Sequence, residues 1–137
     1  MASSNIILPI TAYSSNIVQP LTGDKFKGGG FYGQANGSHT VQWHLYNFVG
    51  SIGIQASLEI LPTETDWFFV NLVSPTGTSE YSIDTTGRVL TAVTNKFEYT
   101  TSTSGVFGYT FIGNYVWIRA YITDWTAGTI NSINLSH

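Results

Sequence analysis

From Ser51 to Ile60 the chain alternates without a break. Ile52, Ile54, Ala56, Leu58 and Ile60 fall on one side, and Gly53, Gln55, Ser57 and Glu59 on the other. A period of two belongs to extended backbone, whose successive side chains point in opposite directions. The segment is expected to be a strand with one buried and one wet face. The pattern recurs. Ser38 to Tyr46 sets Val41, Trp43 and Leu45 against Gln42, His44 and Tyr46. Tyr115 to Ile122 sets Val116, Ile118, Ala120 and Ile122 against Tyr115, Trp117, Arg119 and Tyr121. Asp66 to Val73 is apolar on both sides near its middle, which predicts a central strand. Thr129 to Leu135 alternates weakly and is expected to close the sheet as the last strand. No stretch sustains the i, i+3, i+4, i+7 spacing of a helix, and helix-forming residues are sparse beside β-branched and aromatic ones.

Turn signals separate these runs: Thr22-Gly23-Asp24, Asn36-Gly37, Val49-Gly50, Pro62 to Thr65, Ser74 to Gly77, Thr86-Gly87, Ser102 to Gly105, Gly113-Asn114 and Ala127-Gly128. Their short spacing suits an antiparallel sandwich or barrel, and no βαβ unit is present. The expected fold is all-β, a single antiparallel β-sandwich, jelly-roll-like, over residues 23–137. Residues 1–22 lack clean alternation and are expected to form an extended N-terminal arm or an edge strand. A chain of 137 residues fits one domain that buries about two thirds of its unfolded surface. With no cysteine, disulfides, thiolate metal sites and a Cys nucleophile are excluded.

Only 9% of the residues are charged, against about a quarter in an ordinary soluble domain. Disorder does not follow, because 15% are aromatic. No apolar run approaches the ~20 residues of a membrane helix. A net charge of -3 with five Lys and Arg argues against a nucleic-acid surface. Neither nucleic acid nor membrane is therefore an expected partner. Met1 to Asn5 carries no positive charge, and Ile6 to Ile10 is short and broken by Pro9, so no secretory signal is expected. Asn36 and Asn134, each in Asn-x-Ser, are accordingly read as a turn and a strand residue rather than glycan sites.

Catalytic patterns are absent. Gly28-Gly29-Gly30-Phe31-Tyr32-Gly33 matches G-x-G-x-x-G, but the turn-like Gln34-Ala35-Asn36-Gly37 follows where a phosphate-binding helix is required. A bulge or strand approached closely by another backbone is the expectation. His39 and His44 are five residues apart and would face opposite sides of one strand, so they read as surface or rim histidines. No carboxylate pair stands out, and Glu64 and Asp66 read as loop-capping residues. No G-x-S-x-G elbow is present. The chain is expected not to be an enzyme, with neither cofactor nor metal implied. The remaining signal is aromatic. Trp117, Arg119 and Tyr121, with Tyr115, His44 and Tyr46, form the candidate interface or glycan platform. Such a row fits a core with Arg119 snorkelling at its edge, a subunit interface, or a surface that stacks sugar rings.

The order of several pieces then becomes informative. Asp24-Lys25-Phe26-Lys27-Gly28-Gly29-Gly30-Phe31-Tyr32-Gly33 is followed by Gly37 to Gln42, Phe48 to Leu58, Pro62 to Phe68, Gly113-Asn114-Tyr115-Val116-Trp117-Ile118-Arg119-Ala120 and Thr126 to Ile130. Over residues 24–137 this resembles small β-rich virion structural proteins and modules of tailed bacteriophages, especially contractile-tailed phages of marine cyanobacteria. The resemblance implies a non-enzymatic structural role in the virion, after assembly in the host cytoplasm, as head decoration or as a tail or fibre component. It implies copies of the same chain and other virion proteins as partners. A carbohydrate-binding module that recognises a host-surface glycan is the competing expectation. An uncharged, aromatic-rich β surface suits repeated subunit contacts, since few charges need desolvation.

Overall fold

The computed structural model describes residues 4–32, 37–73, 81–83, 89–91 and 96–136. Sequence signals on Asn36, Ser74 to Gly77, Thr86-Gly87 and His137 lie outside them. The strands are β1 (Ser4–Leu8), β2 (Thr11–Ala12), β3 (Leu21–Thr22), β4 (Phe26–Lys27), β5 (Ser38–Ser57), β6 (Phe68–Phe69), β7 (Tyr81–Ile83), β8 (Val89–Thr91), β9 (Lys96–Ile112) and β10 (Trp117–Ser136). Short 3-10 turns occupy Gly29–Tyr32 and Glu64–Asp66. All pairings among the described residues are antiparallel, as expected of an all-β sandwich. β5 is central, with β10 along its whole length on one side and β9, then β6, on the other. β7 and β8 pair with each other.

β5 and β10 are each 20 residues long, about 65 Å if straight. They are not straight. In β5 the buried side chains are Val41, Trp43 and Leu45, then Phe48, Ile52, Ile54 and Ala56. The inward face changes from odd to even numbers between Leu45 and Phe48, which requires one extra residue. That residue is Asn47, with φ at 51°, a left-handed conformation that Asn tolerates better than most side chains. The register to β9 slips at the same place. In β10 the inward set Ile118, Ala120, Ile122 passes to Trp125 across Asp124 (φ 53°), then through Gly128 (φ 88°) to Ile130, and across a further bulge to Ile133 and Leu135. These are bulges, and bulges bend the strand that carries them.

Because the strands are paired, they bend together and fold the sheet over itself. Phe97 and Tyr109 lie 12 residues apart in β9, roughly 40 Å along a straight strand, yet their rings stack at 4.2 Å. The Trp43 Nε1–H donates to the Tyr99 hydroxyl at 3.0 Å across the same fold. Each long strand therefore contributes to both layers, with corners made by bends, and one core lies between them. The closed end of the molecule is the bend. The open end, or mouth, is where Ser38 and Ser57 of β5, Ile112 of β9 and Trp117 of β10 come together.

The N-terminal segment is an edge ribbon along β10. β1 pairs with residues 133–136, β2 with 129–130, β3 with 121–122 and β4 with 117–118, so it follows β10 round the bend. Between β2 and β3 the Gln19 side chain stands in for a strand. Its Nε2 donates to the Trp125 carbonyl (2.7 Å), and its Oε1 accepts from the Trp125 N–H (2.8 Å). Two ladder groups that would otherwise lie unpaired beside a buried indole are satisfied.

Several expectations are corrected. Val49-Gly50, Ser102 to Gly105 and Ala127-Gly128 are not turns between strands but kinks inside β5, β9 and β10. A kink and a turn need the same permissive residues, and the neighbouring ladder decides which forms. Ser38–Tyr46 and Ser51–Ser57 are accordingly one strand, as are the segments on either side of 124–128. Asp66 to Val73 is not a central strand. Phe68–Phe69 pair with the end of β5, the Val70 N–H donates to the Ile54 carbonyl (3.0 Å), and Val73 makes one bridge to Thr110 at the edge. Its apolar character has another cause: Val70 and Leu72 cover the core from the side.

At Gly128 a Cβ would overlap the Asn47 carbonyl, and its φ already disfavours a side chain. Gly128→Ala is expected to cost about 2 kcal/mol or more in chemical denaturation. Gly108→Ala, whose Cβ would meet only the Val41 carbonyl oxygen at 3.9 Å, is expected to unfold like the wild type.

Candidate functional site

Trp117, Arg119 and Tyr121 share the face of β10 opposite Ile118, Ala120 and Ile122. The segment 58–69 lies across that face. The Trp117 Nε1–H donates to the Ile60 carbonyl (2.9 Å), and Phe69 meets the Tyr121 ring edge-on at 4.9 Å. The Arg119 guanidinium lies 4.3 Å from the centre of the Trp67 ring. Its Nε donates to Gln55 Oε1 at 2.9 Å, while its terminal nitrogens reach the Glu64 carboxylate at 3.3 Å. Arg119 is only 7% exposed. The expected wet face of Ser51 to Ser57 is therefore dry, with Ser51, Gln55 and Ser57 all buried. Arg119 is sealed between sheet and loop, with no open side on which a sugar ring could stack, while Trp117 and Tyr121 beside it are half-buried. The Arg119–Glu64 contacts are long for charge-assisted bonds, and the Glu64 side chain is 83% exposed. Stacking on Trp67 and the bond to Gln55 hold the cation more than the ion pair does.

Tyr115 is not part of the row, because β10 begins at Trp117. Tyr115 lies at the mouth, between Phe111 (6.0 Å), His39 (6.0 Å) and Phe68 (5.7 Å), and its hydroxyl donates to the Ile112 carbonyl at 3.1 Å. Burial raises the pKa of its hydroxyl above the usual tyrosine value. His39 is likewise not a surface residue. It is fully buried and stacked on Phe111 at 4.8 Å with the rings 2° from parallel. Its Nδ1–H donates to the Gly37 carbonyl (2.8 Å), so Nε2 accepts from the Gly29 N–H (2.9 Å). The ring is a neutral strut tying the glycine-rich turn to β5. The glycines of that turn let the backbone of Asn114 and Tyr115 come close, since a Cβ on Gly28 or Gly30 would collide with the Tyr115 or Asn114 carbonyl. The backbone N–H groups of Gly28 and Gly30 instead donate to Val116 and Tyr115. This is the close backbone approach that the glycine run predicted.

His44 and Tyr46 lie elsewhere, exposed on the outer face of the other layer. The six candidate residues therefore fall in three places: beneath the loop, at the mouth, and on the far outer face. Among the described residues no group of three or more His, Cys, Asp or Glu is placed to hold a metal ion. Asp66 Oδ2 accepts from the Thr63 N–H (2.7 Å) and hydroxyl (3.0 Å), the local capping expected of this loop. No helix among the described residues is long and apolar enough to cross a membrane.

Sequence periodicity missed one feature. Leu58 and Ile60, expected to be buried, are 61% and 74% exposed because β5 ends at Ser57. With Leu61, Phe31, Phe68 and Ile112, also exposed, they ring the mouth. Phe31 meets Trp117 at 5.3 Å, Ile60 accepts from Trp117, and Phe68 and Ile112 contact Tyr115. The available signal was Ile60-Leu61-Pro62, where two adjacent apolar residues break the alternation before a proline that cannot donate to a ladder.

Arg119→Ala is expected to lower stability by about 2–4 kcal/mol, since it strips the stack on Trp67 and leaves Gln55 unpaired. Glu64→Gln should cost less than about 1 kcal/mol, because that carboxylate is exposed. Urea denaturation of the two variants checks the order. Tyr115 holds its proton more tightly folded than unfolded, so its contribution is full below about pH 10 and is lost as pH rises through the raised folded value. The stability advantage of wild type over Tyr115→Phe should shrink above about pH 10, as measured by denaturation across pH.

No protein-family model matches the chain. No curated protein matches it either. Among solved structures, it is similar in fold to the crystal structure of SPBc2 prophage-derived protein YomS, with a TM-score of 0.57 at 11% identity, covering 99% of this chain and 92% of that one. At that identity the likeness establishes a shared fold.

Proposed function

We propose that this chain is a non-enzymatic structural protein of a tailed-phage particle, which docks through its mouth onto neighbouring subunits of the virion. The carrying observation is the ring of exposed apolar side chains: Leu61 at 82%, Ile112 at 76%, Ile60 at 74% and Leu58 at 61%, with Phe31 and Phe68 at 42% each. Scattered exposed apolar residues are ordinary, whereas six gathered around one end of a fold suit a contact surface. Aromatic and aliphatic anchors in a polar, uncharged surround match the make-up of an interface core. With 9% charged residues, few ions need desolvation when such surfaces meet. The fold likeness to a prophage-derived protein and the resemblance to phage virion proteins support the same reading. The partners proposed are copies of this chain and other virion proteins.

Ile60 and Leu61 project from a loop, so Ile60→Asp with Leu61→Asp is expected to leave the unfolding midpoint within about 1 kcal/mol of wild type. Wild type should show concentration-dependent assembly, or capture of virion proteins, by size-exclusion chromatography with light scattering. The double variant should lose both. A wild type that stays monomeric at millimolar concentration and binds no virion protein would count decisively against the reading.

A further inference from the structure

The bend carries a feature unrelated to the mouth. An open groove of about 660 Å³ runs over it, lined by β2, the kinks of β5 and β10, and the facing part of β9. That volume falls in the range of small-molecule sites. The groove lies ten residues of strand from the end of β5, roughly 30 Å, so a ligand there leaves the mouth free. Tyr13 and Tyr46 stand in it, Tyr46 being 60% exposed and Tyr13 37%. Asn47, Ser102, Thr126 and Thr129 supply its polar lining, and no Lys, Arg, His, Asp or Glu takes part.

The polar groups are held for use. Asn47 is fixed by its left-handed backbone, a strained conformation of the kind that collects at binding sites. Its N–H donates to Ser104 Oγ (2.9 Å), which leaves that hydroxyl's hydrogen free to donate to Asn47 Oδ1 (3.4 Å). Ser102 Oγ donates to the same oxygen at 3.3 Å. The amide oxygen is thereby turned to the serines, and Nδ2 remains a donor with no partner among the described hydrogen bonds. Ala127 and Gly128, which carry little or no side chain, also line the groove.

We propose that this groove binds an uncharged saccharide. Sugars present apolar C–H faces, which tyrosine rings accept, and a rim of hydroxyls, which an amide and several hydroxyl groups can bond. A carboxylate, phosphate or ammonium ligand would lose its hydration without meeting an opposite charge. A purely apolar ligand would strip water from the tyrosine hydroxyls and the Asn47 amide without replacing it.

The test uses the whole chain with maltohexaose, cellohexaose, mannohexaose and N-acetylchitohexaose as probes, followed by backbone-amide NMR. At least one probe should shift the amides of residues 126–129. Its affinity should change less than about twofold between 50 and 500 mM salt. Tyr46→Ala, which removes an exposed ring, and Asn47→Gly, which keeps the left-handed backbone while deleting the amide, should each weaken binding at least about tenfold with the fold retained by its NMR dispersion. The proposal is overturned if no probe shifts these amides at about 10 mM, if the shifts fall elsewhere, or if both variants bind as wild type. It is also overturned if the same amides shift with protein concentration alone, which assigns the groove to a second copy. Mouth variants Ile60→Asp and Leu61→Asp should bind the probe unchanged, so failure of the docking surface and failure of the groove are separable.

Discussion

The whole fold depends on paired strands bending at one level. Ladder hydrogen bonds hold neighbouring strands about 4.8 Å apart, so a kink in one strand must be matched in the next. Asn47 in β5, Gly105 in β9 and the Asp124 to Gly128 stretch in β10 supply that match with positive φ values, and the registers slip there together. Once bent, β9 stacks Phe97 on Tyr109, and β5 brings Trp43 to Tyr99. A separate second sheet is not needed to make the core, because the single sheet supplies both of its walls.

Folding a sheet in half leaves a closed end and an open end with different physical demands. At the closed end a permissive backbone is required, and two of the residues that supply it, Asn47 and Gly128, line the groove. At the open end, loose strand ends must be plugged. His39, Phe111 and Tyr115 fill the gap as an aromatic stack, and the glycine-rich turn closes over it. The segment 58–69 then seals the outer face of one layer over Arg119. Where that segment runs out of sheet to cover, its apolar residues face solvent. The candidate docking surface is thus a by-product of how the mouth is closed.

The scarcity of charge has a structural counterpart. The one arginine described in contact with an acid is a buried strut rather than a surface charge, and Lys25 and Lys27 lie over the rings of Trp117 and Phe31. Much of the outer surface is left to Thr, Ser, Asn, Gln and aromatic residues. Such a surface associates readily, because little electrostatic repulsion or ion desolvation opposes contact. The proposed docking at the mouth and the proposed binding in the groove both draw on that property, one through aliphatic anchors and the other through tyrosines and hydroxyls.

Strand periodicity with turn spacing pointed to an antiparallel β chain, and periodicity set Val41, Trp43 and Leu45, Ile52 and Ile54, and Ile118, Ala120 and Ile122 each on one side of its strand, the side that the structure buries. It also placed Trp117, Arg119 and Tyr121 on one side of one strand. Alternation is a local property of extended backbone and needs no knowledge of distant residues. The tertiary structure decided the rest. Whether Val49-Gly50 turns or kinks depends on β10, and whether Arg119 is open or sealed depends on Trp67 and Glu64, which lie over 50 residues away. Whether His39 is a rim residue or a buried strut depends on the backbone of Gly29 and Gly37. Strand continuity and the covering of faces are set by contacts between remote segments, and no periodicity within one segment encodes them.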